Sequence, residues 1–204
     1  MAAVSESSTD TRQRLLEAAC AAFREEGYQV SIERIAARAQ VARQTLYNHF
    51  ASKEALFREV MRHAVQTILV TLEGDGELRA TLLEFAHAYR AKVLSPEGLA
   101  IFRTMVAEAP RFPELARQFF TEGPQRTREG LARYLARAMA EGRLPADDAA
   151  FAAELFTAWL ADYDRLRGLF GMPPEGDEGR RVERIVDTFL RLYGVMRQAP
   201  TPAP

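Results

Sequence analysis

Apolar residues recur at three- and four-residue steps through almost the whole chain, and alternating β-branched stretches are missing. That spacing puts one apolar stripe on each of a series of helices and predicts an all-α protein. Helix-ending and helix-starting residues divide the series. A first helix runs from about Thr11 to Glu26 and stops at Gly27, a residue suited to a left-handed cap. Ser31 is the N-cap of a short second helix that turns Ile32, Ile35 and Ala36 inward. A third covers Arg43 to Phe50, and a long fourth starts at Ser52 with Leu56, Val60, Ala64 and Ile68 on one side.

Gly74-Asp75-Gly76 breaks the chain before a fifth helix, and Ser95-Pro96 opens a sixth. Pro110 and Pro113 lead into a short segment ending at Phe120. Gly123-Pro124 opens a further helix that closes at Gly142. Two more, about Asp147–Phe170 and Arg180–Arg197, complete a set of about nine. Residues 1–10 and 199–204 are expected to be flexible tails, with domains over 11–55 and 56–198.

The chain has 204 residues, is 48% hydrophobic and carries a formal net charge of −1. No apolar run reaches the roughly 20 residues that span a bilayer. The N-terminus lacks the basic and apolar regions of a secretory signal, so a cytoplasmic location is expected. Cys20 has no partner cysteine and lies on the apolar side with Leu16 and Phe23. GxSxG, HExxH, CxxC, Walker and GxGxxG patterns are absent, and His49, His63 and His87 share no chelating spacing. The expectation is a protein without catalytic residues, cofactor or metal.

VARQTLYNHFASK, residues 41–53, is the most informative stretch. At about 100° per residue with Leu46 at the buried centre, Phe50 lies about 40° and Arg43 about 60° away. Gln44 and Asn48 fall near 160° and 200°, opposite the core and side by side. Amides of this kind can bond an adenine edge in the major groove. Arg43, Tyr47, His49 and Lys53 surround them with donors suited to phosphates, and Thr45 and Tyr47 flank the pair. Between Ser31 and Lys53 the basic residues Arg34, Arg38, Arg43 and Lys53 face a single acid, Glu33, a local balance of +3. With the turn at Ala39-Gln40-Val41 the two short helices form a helix-turn-helix. The face pattern by itself fits a DNA-reading helix and a solvated outer face equally.

Residues Thr11 to Phe57 resemble the DNA-binding domain of the TetR/AcrR family of bacterial transcriptional regulators. The resemblance rests on FREEGY, on Ser31-Ile32-Glu33-Arg34-Ile35-Ala36 and on TLYNHFASKEALF, and covers about a quarter of the chain closely. FRTMVAEAPRFPELARQFF is similar to one recurring subtype of that family's second domain. The family's turn usually has glycine where this chain has Gln40, and a serine or threonine cap where it has Ala42. The resemblance implies an N-terminal three-helix helix-turn-helix domain followed by a helical ligand-binding and dimerisation domain. It also implies a homodimeric regulator, a repressor released from a pseudo-palindromic DNA operator by a small-molecule effector. Thr11, Arg12, Ser31, Arg43, Gln44, Thr45, Tyr47, Asn48, His49 and Lys53 are then the candidate DNA contacts. Phe151, Leu155, Tyr163, Ile185, Phe189, Tyr193 and Met196 are candidates for the dimer interface, and equally for internal core. Phe85, His87, Tyr89, Phe102, Arg103, Met105, Phe119, Phe120 and Trp159 are candidates for a ligand cavity, with packed core as the rival. A helical DNA-binding or adaptor protein without an effector is the alternative.

Overall fold

The structure, a computed structural model, describes the backbone of residues 2–196 and the side chains of residues 10–193. Ten α-helices are present among the described residues. In chain order they are α1 (Ala2–Glu26), α2 (Ile32–Arg38), α3 (Arg43–His49), α4 (Lys53–Leu69) and α5 (Leu78–Val93). Then follow α6 (Pro96–Glu108), α7 (Pro113–Phe120), α8 (Arg126–Ala140), α9 (Ala149–Leu169) and α10 (Glu178–Met196).

Three details differ from the expectation. The helix expected from Thr11 begins at Ala2; once a helix is nucleated, each further residue adds a hydrogen bond at little extra cost. The short segment before Phe120 is itself helical. Gly123-Pro124 does not start a new helix but lies in a π-helical turn, Thr121–Gln125, between α7 and α8. Proline has no N–H for the usual bond and crowds the carbonyl four residues back, which a wider turn relieves.

The chain packs as two units. The first contains residues up to Ala64 together with Pro96–Gly123, and the second contains Val65–Ser95 and the chain from Pro124 onward. The expected 11–55 and 56–198 boundary therefore does not coincide with the packing: α6 and α7 join the N-terminal helices. Met105 and Leu115 supply the reason, because both are buried in one apolar cluster with Leu15, Phe23, Ile35, Leu46, Leu56 and Phe57. Phe23, Tyr28 and Phe57 form an aromatic trio, with edge-on centroid separations of 5.3 and 5.2 Å to Phe57. Cys20 is half-buried at the edge of this cluster.

The second unit is built around Leu82, Phe85, Tyr89, Leu131, Tyr134, Phe156, Leu160, Val186, Phe189 and Tyr193. Gly130 of α8 is needed there, since a Cβ at that position would overlap the Leu69 side chain. The buried Arg90 carries a charge into this unit. It is held by Asp164 at 2.7 Å, by the Leu160 carbonyl and by Glu178 at 3.3 Å. Asp164 also lies 3.0 Å from Arg181, so with Glu178 two carboxylates face two guanidinium groups and the charges balance.

The turn between α2 and α3 is strained in a definite way. Gln40 has φ 55°, the left-handed region, and is the one non-glycine residue there among those described. Ala42, the N-cap of α3, has extended dihedrals and offers no side-chain acceptor to the helix. Gln40→Gly is therefore expected to stabilise the protein by about 1 kcal/mol. A thermal melt checks this, and an unchanged or lowered midpoint would contradict it.

Candidate nucleic-acid interface

Helix α3 is positioned by a few apolar residues and one cap. Leu46 is fully buried and Phe50 nearly so, which turns Gln44 and Asn48 to solvent on the opposite side. Ser31 caps α2 by accepting from the Arg34 N–H at 3.2 Å, and Ser52 caps α4 through the Ala55 N–H at 3.1 Å. Arg14 of α1 ties the turn down by donating to the Ala39 carbonyl at 2.9 Å.

The donors around the amide pair are held by neighbouring groups. Arg43 pairs with Glu33 at 2.7 Å and lies 5.4 Å over the Tyr47 ring. Arg12 pairs with Glu59 at 2.9 Å and lies over Phe50. The Lys53 ammonium sits 4.4 Å above the Tyr28 ring. Tyr28 in turn donates to Glu54 at 3.0 Å. Burial lowers the Lys53 pKa from its ordinary value, with the Glu54 charge acting the other way. Burial also raises the Tyr28 hydroxyl, reinforced by its bond to Glu54. Glu54 is lowered first by its own backbone N–H and then by the Ser52 side chain. Tyr28, beneath Lys53, is absent from the candidate contacts, and in the sequence it stands out only as the last residue of FREEGY. Thr11, Thr45, Tyr47 and His49 are partly exposed, and Ser31 is exposed.

The local charge balance changes in three dimensions. Arg34 pairs with Glu26 at 2.8 Å and Arg38 with Glu25 at 2.6 Å. Both acids lie at the end of α1, outside the window from which +3 was read. Net positive charge at this surface is smaller than the linear stretch implied, and specific geometry carries more of any recognition.

The nine cavity candidates are divided between the two units. Phe102, Arg103, Met105, Phe119 and Phe120 fall in the first unit, and Phe85, His87, Tyr89 and Trp159 in the second. Phe85 is fully buried and stacks on Tyr89 and Phe156 within the core of the second unit. Tyr89 is also core, its hydroxyl accepting from Arg165 at 3.2 Å. Met105 is core of the first unit. Phe102 and Phe119 are half-buried and meet edge-on at 6.4 Å. His87, Arg103, Phe120 and Trp159 are exposed.

The interface candidates divide as well. Phe189 and Tyr193 are inside the chain's own core, 4.8 Å apart by ring centroid, with Phe156 4.7 Å from Phe189. They are unavailable to a partner because α10 turns Val182, Val186, Phe189 and Tyr193 inward at helical spacing. Phe151 and Tyr163 are exposed, Leu155 and Ile185 partly so, and the side chain of Met196 lies outside the described residues. Trp159, expected at the cavity, joins this exposed face with Leu166 and Phe170. Trp159, Tyr163 and Ile185 also line a surface groove between α9 and α10, along with Arg181 and Arg184.

Comparison with known proteins supplies the context. Residues 15–60 match the family described as bacterial regulatory proteins, tetR family. Residues 80–195 match the C-terminal domain of AefR-like transcriptional repressors. A TetR-family transcriptional regulator from Mesorhizobium loti has a similar structure, with TM-score 0.72 and 26% identity over 91% of this chain and 98% of that one. The flavonoid-responsive regulator FrrA aligns with TM-score 0.68 and 29% identity, covering 92% of this chain and 97% of its own. The A-factor receptor protein of Streptomyces griseus is 33% identical over 96 residues, which is 45% of this chain and spans about a third (34%) of that relative.

Proposed function

Because the chain belongs to the TetR family of bacterial regulatory proteins, we propose that it acts as a homodimeric repressor that leaves its DNA operator when a small molecule binds. The observation that carries the DNA half of this reading is the outward face of α3. Leu46 and Phe50 anchor the helix from beneath, and the exposed amides Gln44 and Asn48 stand at the centre of its free side. Arg43, Tyr47, His49 and Lys53 surround them as phosphate contacts, with Thr11, Arg12, Ser31 and Thr45 beside them.

The dimer half is supported by the apolar stripe of α9. Phe151, Trp159, Tyr163 and Leu166 are all exposed on one helix, with Phe170 exposed at its C-cap. A contiguous apolar face of this kind marks an association surface. Two copies meeting there through a two-fold axis would set two recognition helices for two half-sites. The repressor role follows the match to AefR-like repressors, and effector control follows relatives whose names state a flavonoid or a receptor function. No described helix is long and apolar enough to cross a membrane, which agrees with a regulator that works on DNA in the cytoplasm.

Selection from a random duplex DNA pool tests the reading. The expected product is a two-fold symmetric site whose half-sites lie one helical turn, or a multiple of it, apart. A protein that retains all sequences alike, or none, is not an operator-binding regulator.

A further inference from the structure

Gln44 and Asn48 do more than share a face. The Gln44 Nε2 donates to Asn48 Oδ1 at 3.1 Å, and both side chains are exposed. We propose that the two amides form one device for reading an adenine, in which Gln44 touches the base and Asn48 is a positioning residue that holds the Gln44 amide. The proposal rests on the operator-binding reading and adds the identity of the base and the division of labour.

The chemistry follows from counting donors and acceptors. An adenine presents N7 as acceptor and N6 as donor in the major groove. A primary amide matches that edge with its oxygen and one of its two N–H groups. Giving one N–H to Asn48 leaves Gln44 with Oε1 and the other N–H, the complement of adenine. Asn48 is in the opposite position. Its Oδ1 already accepts from Gln44, so its oxygen keeps one lone pair beside the Nδ2 donors, whereas the Gln44 oxygen is not engaged by Asn48. Gln44 is also the second residue of α3, and the N-terminal residues of a recognition helix are the ones that meet base edges. Holding a long, flexible side chain before DNA arrives reduces the conformational entropy lost on binding. Arg43 does not compete for the amides, since Glu33 and the Tyr47 ring occupy it.

The test is random-duplex selection with the full-length protein, run for wild type, Gln44→Ala, Asn48→Ala, Asn48→Asp and the double alanine variant. All four variants change only exposed side chains, and a thermal melt confirms equal folding. Wild type should enrich one adenine position per half-site that Gln44→Ala removes. Asn48→Ala should weaken the same position by about tenfold, and the double variant should be no worse there than Gln44→Ala. Asn48→Asp keeps the oxygen that accepts from Gln44. It should retain the adenine position while weakening all duplexes alike through charge repulsion. The pair is overturned if Asn48→Ala leaves the Gln44 position intact or erases a different one. It is also overturned if that position is not adenine, or if Asn48→Asp loses it. In each of these cases the regulator reading stands. If wild type enriches no sequence, the regulator reading falls and the pair with it.

Discussion

Phe189→Glu is expected to unfold the second unit and not to release a folded monomer. The ring is fully buried between Phe156 and Tyr193, at centroid separations of 4.7 and 4.8 Å. Removing it forfeits about 3–5 kcal/mol of packing, as for other large-to-small changes at aromatic core positions. Placing a carboxylate in the same apolar space adds a desolvation penalty, or forces the acid to take up a proton there. Total stabilities of natural domains are only about 5–15 kcal/mol, so the sum is comparable to the whole. The variant should be recovered as aggregate or show a non-cooperative melt by circular dichroism. Phe189→Leu, which keeps the site apolar, should fold with a loss nearer 1–1.5 kcal/mol. A soluble Phe189→Glu protein melting at the wild-type temperature would show that this ring does not support the core.

Tyr163→Glu has the opposite expected profile. Tyr163 is 58% exposed and stands on α9 within the solvent-facing stripe that includes Phe151, Trp159 and Leu166. A charge there removes no internal contact of the second unit's core, so the melting of the isolated chain should be nearly unchanged. In a two-fold dimer the substitution appears twice, and two carboxylates are desolvated in an apolar contact, a cost that Arg167, which lies over the Tyr163 ring, offsets only in part. Light scattering should show a folded monomer at micromolar concentration where wild type is dimeric. Operator affinity should fall by about 100-fold or more, because the second half-site loses the high effective concentration that linkage provides. A Tyr163→Glu protein that remains dimeric and binds its operator as wild type does would place the dimer contact on another surface. Together the two variants separate loss of fold from loss of assembly, which one substitution at an assumed interface position cannot do.

Local sequence carried the fold class and the helix-turn-helix because both depend on near neighbours along the chain. Caps at Ser31 and Ser52, the break at Gly27 and the Leu46–Phe50 anchor are each set within four residues. The strain at Gln40 was legible for the same reason: a turn that usually holds glycine held a residue with a Cβ, and its φ is 55°. Only the tertiary structure decided which apolar residues go inside. Helix α9 is apolar on two sides, with Ala152, Ala153, Phe156 and Leu160 buried and Phe151, Trp159, Tyr163 and Leu166 exposed. A stripe that wraps so far leaves the periodicity with no preferred face, and burial is chosen by helices distant in sequence. The same holds for charge. Arg34 and Arg38 read as a free basic patch along the chain, yet the folding of α1 against α2 brings Glu26 and Glu25 to them at 2.8 and 2.6 Å. Met105 likewise joins the core of helices nearly fifty residues or more upstream of it, a pairing that no local pattern encodes because contact across such a loop is a property of the packed whole.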